Sequence, residues 1–185
     1  MTILAISGSL RRDSYNALLL RSAAGLAPEG VEVEFWDGLK DVPPYDEDDD
    51  GAAAPAAVAR LRTALAGADA VLFATPEYNA SIPGQLKNAV DWLSRPRASS
   101  VLHNKPVAVV GASTGVFGGV WAQAELRKVL ATAGARVIGA EVAVGRAHEQ
   151  FDEHGLLVDE SLRAQLDEAV DELVAAAAAR ELVAA

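Results

Sequence analysis

Thr2-Ile3-Leu4-Ala5-Ile6-Ser7-Gly8-Ser9-Leu10-Arg11-Arg12-Asp13-Ser14-Tyr15-Asn16 is an apolar run closed by glycine, then a polar loop, then the start of an amphipathic segment. Residues 2–7 show no alternation of apolar and polar side chains, so they read as a strand buried on both faces. The helix that follows spans about 14–27, with Ala17, Leu18, Leu20 and Ala24 as its inward stripe and Pro28 and Gly30 as its stop. Strand, loop and helix in this order are the opening half of a βαβ unit.

The same alternation continues down the chain. Residues 31–36 place Glu32 and Glu34 between apolar positions, as a half-exposed edge strand does. The stretch 38–55 carries Pro43, Pro44 and the acidic run Asp46-Glu47-Asp48-Asp49-Asp50, and reads as an irregular loop of lid or specificity type. Val58, Leu61 and Leu65 fit a helix ending at Gly67, and 68–74 is a second continuous apolar strand. Ile82-Pro83-Gly84 opens another helix, with Pro83 suited to its first turn. A buried strand at 107–111, a helix from Gly118-Gly119 to about 132, and a last strand over 136–140 extending toward Val144 follow. Leu162, Leu166, Ala169, Val170, Leu173 and Val174 then mark a long amphipathic C-terminal helix. Five strands alternating with five helices require parallel pairing, right-handed crossovers and helices on both faces of one sheet. Ligands of such sheets bind beyond the carboxyl ends of the strands, so the loops after the first, third and fourth strands are the places to search.

Composition narrows what those loops can do. A chain of 185 residues, 51% hydrophobic and 23% charged, is expected to fold as a single domain over 1–185. No apolar run is long enough to span a membrane, and the first strand begins almost at Met1, which leaves no room for a signal peptide and predicts a cytoplasmic protein. Cysteine is absent, so thiol nucleophiles, disulfides and protein-ligated iron-sulfur clusters are excluded and any redox chemistry must come from a cofactor. A net charge of −10 argues against nucleic acid and anionic membranes as partners, and an anionic cofactor would need a local exception to that field. The acidic run 46–50 lacks metal-ligand spacing and reads as a solvated loop. His103, His148 and His154 also show no metal or catalytic spacing and receive no role.

The first loop supplies that exception. Backbone amides at the start of a helix are unpaired and sit at the positive end of its dipole, which stabilises an anion. Ser9, Ser14 and Asn16 add neutral donors and Arg11 adds the counter-charge, a set suited to a terminal phosphate. The plainer alternative has Asp13 or Ser14 capping the helix and both arginines in solvent. Neither the G-x-x-x-x-G-K-[ST] loop nor the G-x-G-x-x-G turn is present, so Asp37, placed where a ribose-binding acid would sit, reads as a turn residue.

After the third strand comes Pro76-Glu77-Tyr78-Asn79-Ala80-Ser81-Ile82-Pro83-Gly84-Gln85-Leu86-Lys87-Asn88-Ala89-Val90-Asp91-Trp92. Two prolines and a glycine make this a stiff loop that can present backbone amides and the Tyr78 ring to a planar ligand. The segment resembles the PEYN-x-S-x-PG-x-LKNA-x-DW signature of the NADPH-dependent FMN reductase family, which includes quinone, azo-dye and chromate reductases. That family also has G-S-x-R-x-x-S-x-N after its first strand and a small-residue loop after its fourth, here Gly111-Ala112-Ser113-Thr114-Gly115-Val116-Phe117-Gly118-Gly119.

The resemblance implies a flavodoxin-like three-layer sandwich with a five-stranded parallel sheet in the order 2-1-3-4-5. It implies FMN as cofactor, with Ser9, Arg11, Ser14 and Asn16 at the phosphate and Pro76, Glu77, Tyr78 and Asn79 bordering the isoalloxazine ring. Ser113 and Gly115 are the candidates for polar contacts to the pyrimidine edge. NADPH or NADH would be the co-substrate, and quinones, free flavin, azo compounds or chromate the small-molecule electron acceptors, reduced in a ping-pong cycle. No side chain in the three loops suggests itself as a catalytic acid, base or nucleophile. An electron-carrier flavodoxin is the rival, but its phosphate loop is rich in Ser and Thr and lacks an arginine at the place of Arg11. A phosphorylation receiver domain needs acids where Ser7 and Thr75 stand.

On the helix after Pro83, Leu86, Ala89, Val90 and Leu93 should face the sheet, leaving Gln85, Asn88, Asp91 and Trp92 on the remaining surface. An outward Trp92 would want a partner, and the resemblance implies a homodimer, or a dimer of dimers, with the flavin near the interface. Trp92 folded against its own chain is the alternative. Phe117 and Trp121 read as core residues at their spacing.

Overall fold

The computed structural model describes residues 1–51 and 54–184, with side chains through Arg180. Its elements are β1 (Thr2–Ser7), α1 (Tyr15–Leu26), β2 (Glu32–Trp36), α2 (Ala56–Gly67), β3 (Ala70–Thr75), α3 (Gly84–Leu93), β4 (Pro106–Ala112), α4 (Val120–Thr132), β5 (Arg136–Val137), β6 (Val142–Val144) and α5 (Glu160–Ala184). The strands pair in parallel in the order β2-β1-β3-β4-β5, the order expected of a flavodoxin-like sandwich.

The continuous apolar runs are explained by a core on each face of the sheet. Leu4 and Ile6 of β1, Val71 and Phe73 of β3, and Val107 and Val109 of β4 pack with α2, α3 and α4. Their neighbours Ile3, Ala5, Ala70, Leu72, Ala74, Ala108 and Val110 pack with α1 and α5. Alanines are concentrated on the second face, where Ala169, Ala176 and Ala177 of α5 also lie, so this layer is filled by close approach and the other by large side chains.

The last strand departs from the expected single run. It is split into β5 and β6, both beside β4, with a break at 138–141. The guanidinium of Arg127, on α4, fills the break by donating to the carbonyls of Val109 (2.7 Å), Ile138 (2.8 Å) and Ala140. Glu172 of α5 accepts the Ala140 amide at 3.1 Å from the other side. Side chains from both flanking helices thus take over backbone groups that a continuous ladder would have paired.

The loop expected over 38–55 is less free than its composition suggests. Residues 38–41 form a 3-10 turn, Leu39 and Val42 are buried, and Gln85 of α3 donates to both of their carbonyls at 2.8 and 2.7 Å. Asn88 accepts the Tyr45 amide and donates to the Pro43 carbonyl, each at 2.7 Å. This part of the loop is a packed flap on α3 and not a lid. Ala52 and Ala53 lie outside the described residues. In the acidic run, residues 46–49 face solvent, whereas Asp50 pairs with Arg62 at 2.8 Å, and that hydrogen bond holds its carboxyl below the usual carboxylate range.

The flap also decides the fate of Trp92. The side chain is fully buried, donates from its indole nitrogen to the Pro43 carbonyl at 2.9 Å, and meets Tyr45 edge-on at 4.9 Å. Arg62 lies over its ring, 5.8 Å from the centroid. The expectation of an outward Trp92 is therefore corrected, because the chain covers a second face of α3 with its own loop.

Candidate functional site

The carboxyl ends of β1, β3 and β4 open into one cleft of about 130 Å³. From the first loop come Ser9, Arg11, Ser14 and Asn16, from the second Pro76, Glu77 and Tyr78, and from the third Ser113 with Ala112 and Thr114. Asn79 and Gly115 stand outside this lining.

One end of the cleft is built to receive an anion. Ser14 is the N-cap of α1, and its Oγ accepts the Ala17 amide at 3.3 Å, which leaves the hydroxyl proton free to donate outward. Ser9 accepts the Arg11 amide at 3.4 Å in the same way. The Arg11 guanidinium is exposed, contacts only the Asp13 carbonyl at 3.3 Å, and has no carboxylate partner among the described residues. Asn16 lines the cleft, yet both polar atoms of its amide are engaged by Ala112, which its Nδ2 meets at 2.9 Å and its Oδ1 at 3.0 Å. It is buried, and it fixes the spacing between the first and third loops.

The other end is bounded by a stiff turn. Tyr78 and Ser81 exchange backbone hydrogen bonds of 3.0 and 3.1 Å around Asn79 and Ala80, which both have positive φ (54° and 59°). A two-residue turn of this kind needs the left-handed conformation at both central positions, which Asn tolerates and Ala adopts at a cost. Asn79 thus serves the turn that leaves Tyr78 about half exposed beside the cleft.

Two carboxylates clamp this turn to α4. Glu77 reaches across to accept the amides of Trp121 and Ala122, each at 3.1 Å, and so caps the N-terminus of α4. Glu125 reaches back from α4 to accept the Ser81 hydroxyl at 2.7 Å and the Ile82 amide at 3.4 Å. Glu125 was not anticipated, since a single glutamate on an amphipathic helix carries no signal of its partner. Among the described residues Glu77 is the only carboxylate lining the cleft, and its charge is directed to helix amides, so it does not oppose an anion at the other end.

The third loop is held by 144–147. Ser113 exchanges backbone bonds with Val144 and Ala147 (3.0 and 2.9 Å), and the Gly115 carbonyl accepts the Arg146 amide at 2.8 Å. A Cβ on Gly118, whose φ is +61°, would stand 2.5 Å from the Ala143 carbonyl carbon, and one on Gly145 would stand 2.1 Å from the Val116 oxygen. These glycines allow backbone to meet backbone, so Gly118 shapes the loop and does not itself face the cleft. Past them, Phe117 and Trp121 stack edge-on at 5.2 Å and are 61% and 51% exposed, contrary to the core placement expected for them. Phe117 precedes α4 and Trp121 stands in its first turn, and neither packs into the core on either face of the sheet.

Hydrogen-bond donors and a guanidinium at one end, a tyrosine-bearing turn at the other and, among the described residues, no free carboxylate between suit a phosphorylated planar ligand. The profile of the family described as NADPH-dependent FMN reductase matches residues 1–149. The chain is 44% identical over 162 residues to the NAD(P)H-dependent FMN reductase of Pseudomonas aeruginosa, covering 87% of this chain and 86% of that one. It is 38% identical to the 2-hydroxy-1,4-benzoquinone reductase of a Burkholderia species, over 95% of each. Among solved structures, the flavoenzyme NAD(P)H:acceptor oxidoreductase of Paracoccus denitrificans superposes with a TM-score of 0.84 at 37% identity, covering 94% of this chain and 97% of that one.

Proposed function

Because the chain belongs to the NADPH-dependent FMN reductase family, we propose that it is an NAD(P)H-dependent reductase holding one noncovalent FMN and passing electrons to quinones, free flavin, azo compounds or chromate. The observation that carries this reading is the convergence of the loops after β1, β3 and β4 on one cleft with a phosphate end and a ring end. Arg11, Ser9 and Ser14 would hold the phosphate, with Asn16 setting the distance across the cleft. Pro76, Glu77, Tyr78 and Asn79 would border the ring through their backbone and the Tyr78 side chain, and Ser113 and Gly115 would face its pyrimidine edge.

Bound FMN supplies the chemistry that the side chains lack, accepting two electrons from a reduced nicotinamide and releasing them to the acceptor. The protein contributes position and exclusion of water. The stiff turn keeps Tyr78 in place, and the Glu77 and Glu125 clamp holds that turn against α4. A shallow site that recognises planar molecules mainly by stacking discriminates weakly among them, which fits a broad range of acceptors. The electron-carrier alternative is disfavoured by the arginine in the phosphate loop and by relatives described as reductases.

We further infer a single domain, a cytoplasmic location and a homodimer or dimer of dimers. No helix of the described residues is long and apolar enough to cross a membrane. Support for self-association comes from the exposed Val116, Phe117, Val120 and Trp121 at the ring side of the cleft. Anaerobic addition of NADPH to the FMN-loaded protein should bleach the flavin absorbance at one equivalent. Initial rates over a grid of NADPH and quinone concentrations should give parallel double-reciprocal lines. Intersecting lines would require both substrates to bind together, and a flavin that NAD(P)H leaves oxidised would return the chain to the carrier reading.

A further inference from the structure

Beside the phosphate loop, at the carboxyl end of the edge strand β2, lies a second cavity of about 480 Å³. It shares Ser9 and Arg11 with the flavin cleft and is closed by Arg21 of α1 and by Phe35, Asp37 and Lys40 at and after the end of β2. A smaller adjoining hollow joins Arg11 and Arg21 to Arg12. Four cations thus gather at one corner of a chain whose net charge is −10. Arg12, Arg21 and Lys40 take part in no ion pair among the described residues.

A single terminal phosphate does not account for this cluster. It carries about two negative charges, and Arg11 with the amides and hydroxyls of the first loop already answers them. Arg21 and Lys40 stand on the far side of Arg11, where a second anionic group would sit. Phe35 is also unexplained by packing. It is on the α1 side of β2, on the same face as Val31 and Val33, which are partly covered by the core there, and yet it is half exposed toward the cavity. Asp37, the carboxylate of this wall, has no phosphate-binding use but can accept a hydrogen bond from a hydroxyl.

The sheet order gives these groups a direction. Across the carboxyl edge run the ring end of the flavin cleft at β4 and β3, its phosphate end at β1, and then this cavity at β2. From β3 to β2 is two strand spacings, about 10 Å, a span that an extended dinucleotide covers.

We propose that this cavity receives the adenosine diphosphate half of the nicotinamide dinucleotide, its phosphates on Arg21 and Lys40, its adenine against Phe35 and a ribose hydroxyl on Asp37. The proposal rests on the NAD(P)H-dependent reading above. It predicts a split between two reductants, because reduced nicotinamide mononucleotide carries the same reacting ring without the adenosine half.

In FMN-loaded Arg21→Glu and Phe35→Ala variants, both surface substitutions, the KM for NADPH and NADH should rise at least ~10-fold. The kcat, and the KM for the mononucleotide, should stay as in the unsubstituted protein. Calorimetric titration with adenosine 5′-diphosphate should show binding to the FMN-loaded protein and its loss in Arg21→Glu. Equal changes with both reductants, no change with either, or adenosine diphosphate affinity that survives Arg21→Glu would overturn the assignment. An unsubstituted protein that oxidises neither reductant would instead sink the reductase reading, and the calorimetric titration would still decide the cavity.

Discussion

Arg11 is the one cation that the cleft and the neighbouring cavity share, and its worth follows from its lack of a carboxylate partner among the described residues. Removing the guanidinium would take a charge-assisted hydrogen bond from a phosphate bound there, a loss of about 1.5 to 3 kcal/mol. Arg11→Ala should therefore weaken FMN binding at least ~10-fold in equilibrium titration of the apoprotein, and unchanged affinity would mean that the phosphate lies elsewhere. Lys105 is a cation with the opposite history. It is buried at the start of β4, where its ammonium donates to the Ala68 carbonyl, and burial pushes its pKa from 10.5 down to about 8 against a smaller upward pull from Asp69. Below about pH 8 the ammonium is charged in folded and unfolded chains alike, and the folded state bears the whole cost of burying it. Between about 8 and 10.5 the unfolded chain holds one more proton than the folded one, so stability rises with pH. The full gain is on the order of 3 kcal/mol. Denaturant midpoints recorded from pH ~7.5 to ~10 should climb for the native protein and lose most of that slope in Lys105→Met.

At the level of elements, the helices and strands were readable because burial on two faces leaves continuous apolar runs and helical stripes, and Gly67 ends α2 where expected. What the sequence did not disclose is the set of side chains that hold elements to one another. Arg127 divides the last strand by answering its carbonyls from α4, and nothing in the local pattern at 136–144 announces a guanidinium nine or more residues away. Trp92 was misplaced for a related reason, since a helical wheel knows the sheet side of α3 but not the flap that Pro43 and Tyr45 lay across its other side. The cleft shows the same division: its lining was legible as motif residues, while the Glu77 and Glu125 clamp that holds the 78–81 turn to α4 was not. If the clamp works as the geometry indicates, Glu77→Ala should lower stability by about 1 kcal/mol through the lost helix cap. It should also speed amide exchange at Trp121 and Ala122, which lose their acceptor. Glu125→Ala should speed exchange at Ile82 instead. Protection factors that stay unchanged at all three amides would show that the turn is held by its own backbone.

For the whole molecule, parallel pairing and the position of the cleft follow from the βα alternation, the strand order from the family resemblance, whereas an outward Trp92 as a reason for association with a second copy fails because the chain buries that side chain itself. The weight now falls on Val116, Phe117, Val120 and Trp121, which are 65%, 61%, 38% and 51% exposed around the first turn of α4. Four large apolar side chains clustered beside a ligand cleft are more than an isolated surface hydrophobe, and burying them would contribute about 25 cal/mol for each Å² removed from water. Light scattering of the FMN-loaded protein should accordingly give twice or four times the chain mass, and Trp121→Glu should shift it toward the monomer. Because the patch adjoins the ring side of the cleft, a second copy covering it would also shield bound FMN, so association and FMN affinity should be linked. The substituted protein should then bind FMN more weakly although Trp121 is absent from the phosphate end, and adding FMN to dilute native apoprotein should raise the fraction of dimer. A native protein that scatters as a monomer at micromolar concentration with FMN bound would remove both the dimer and the linkage.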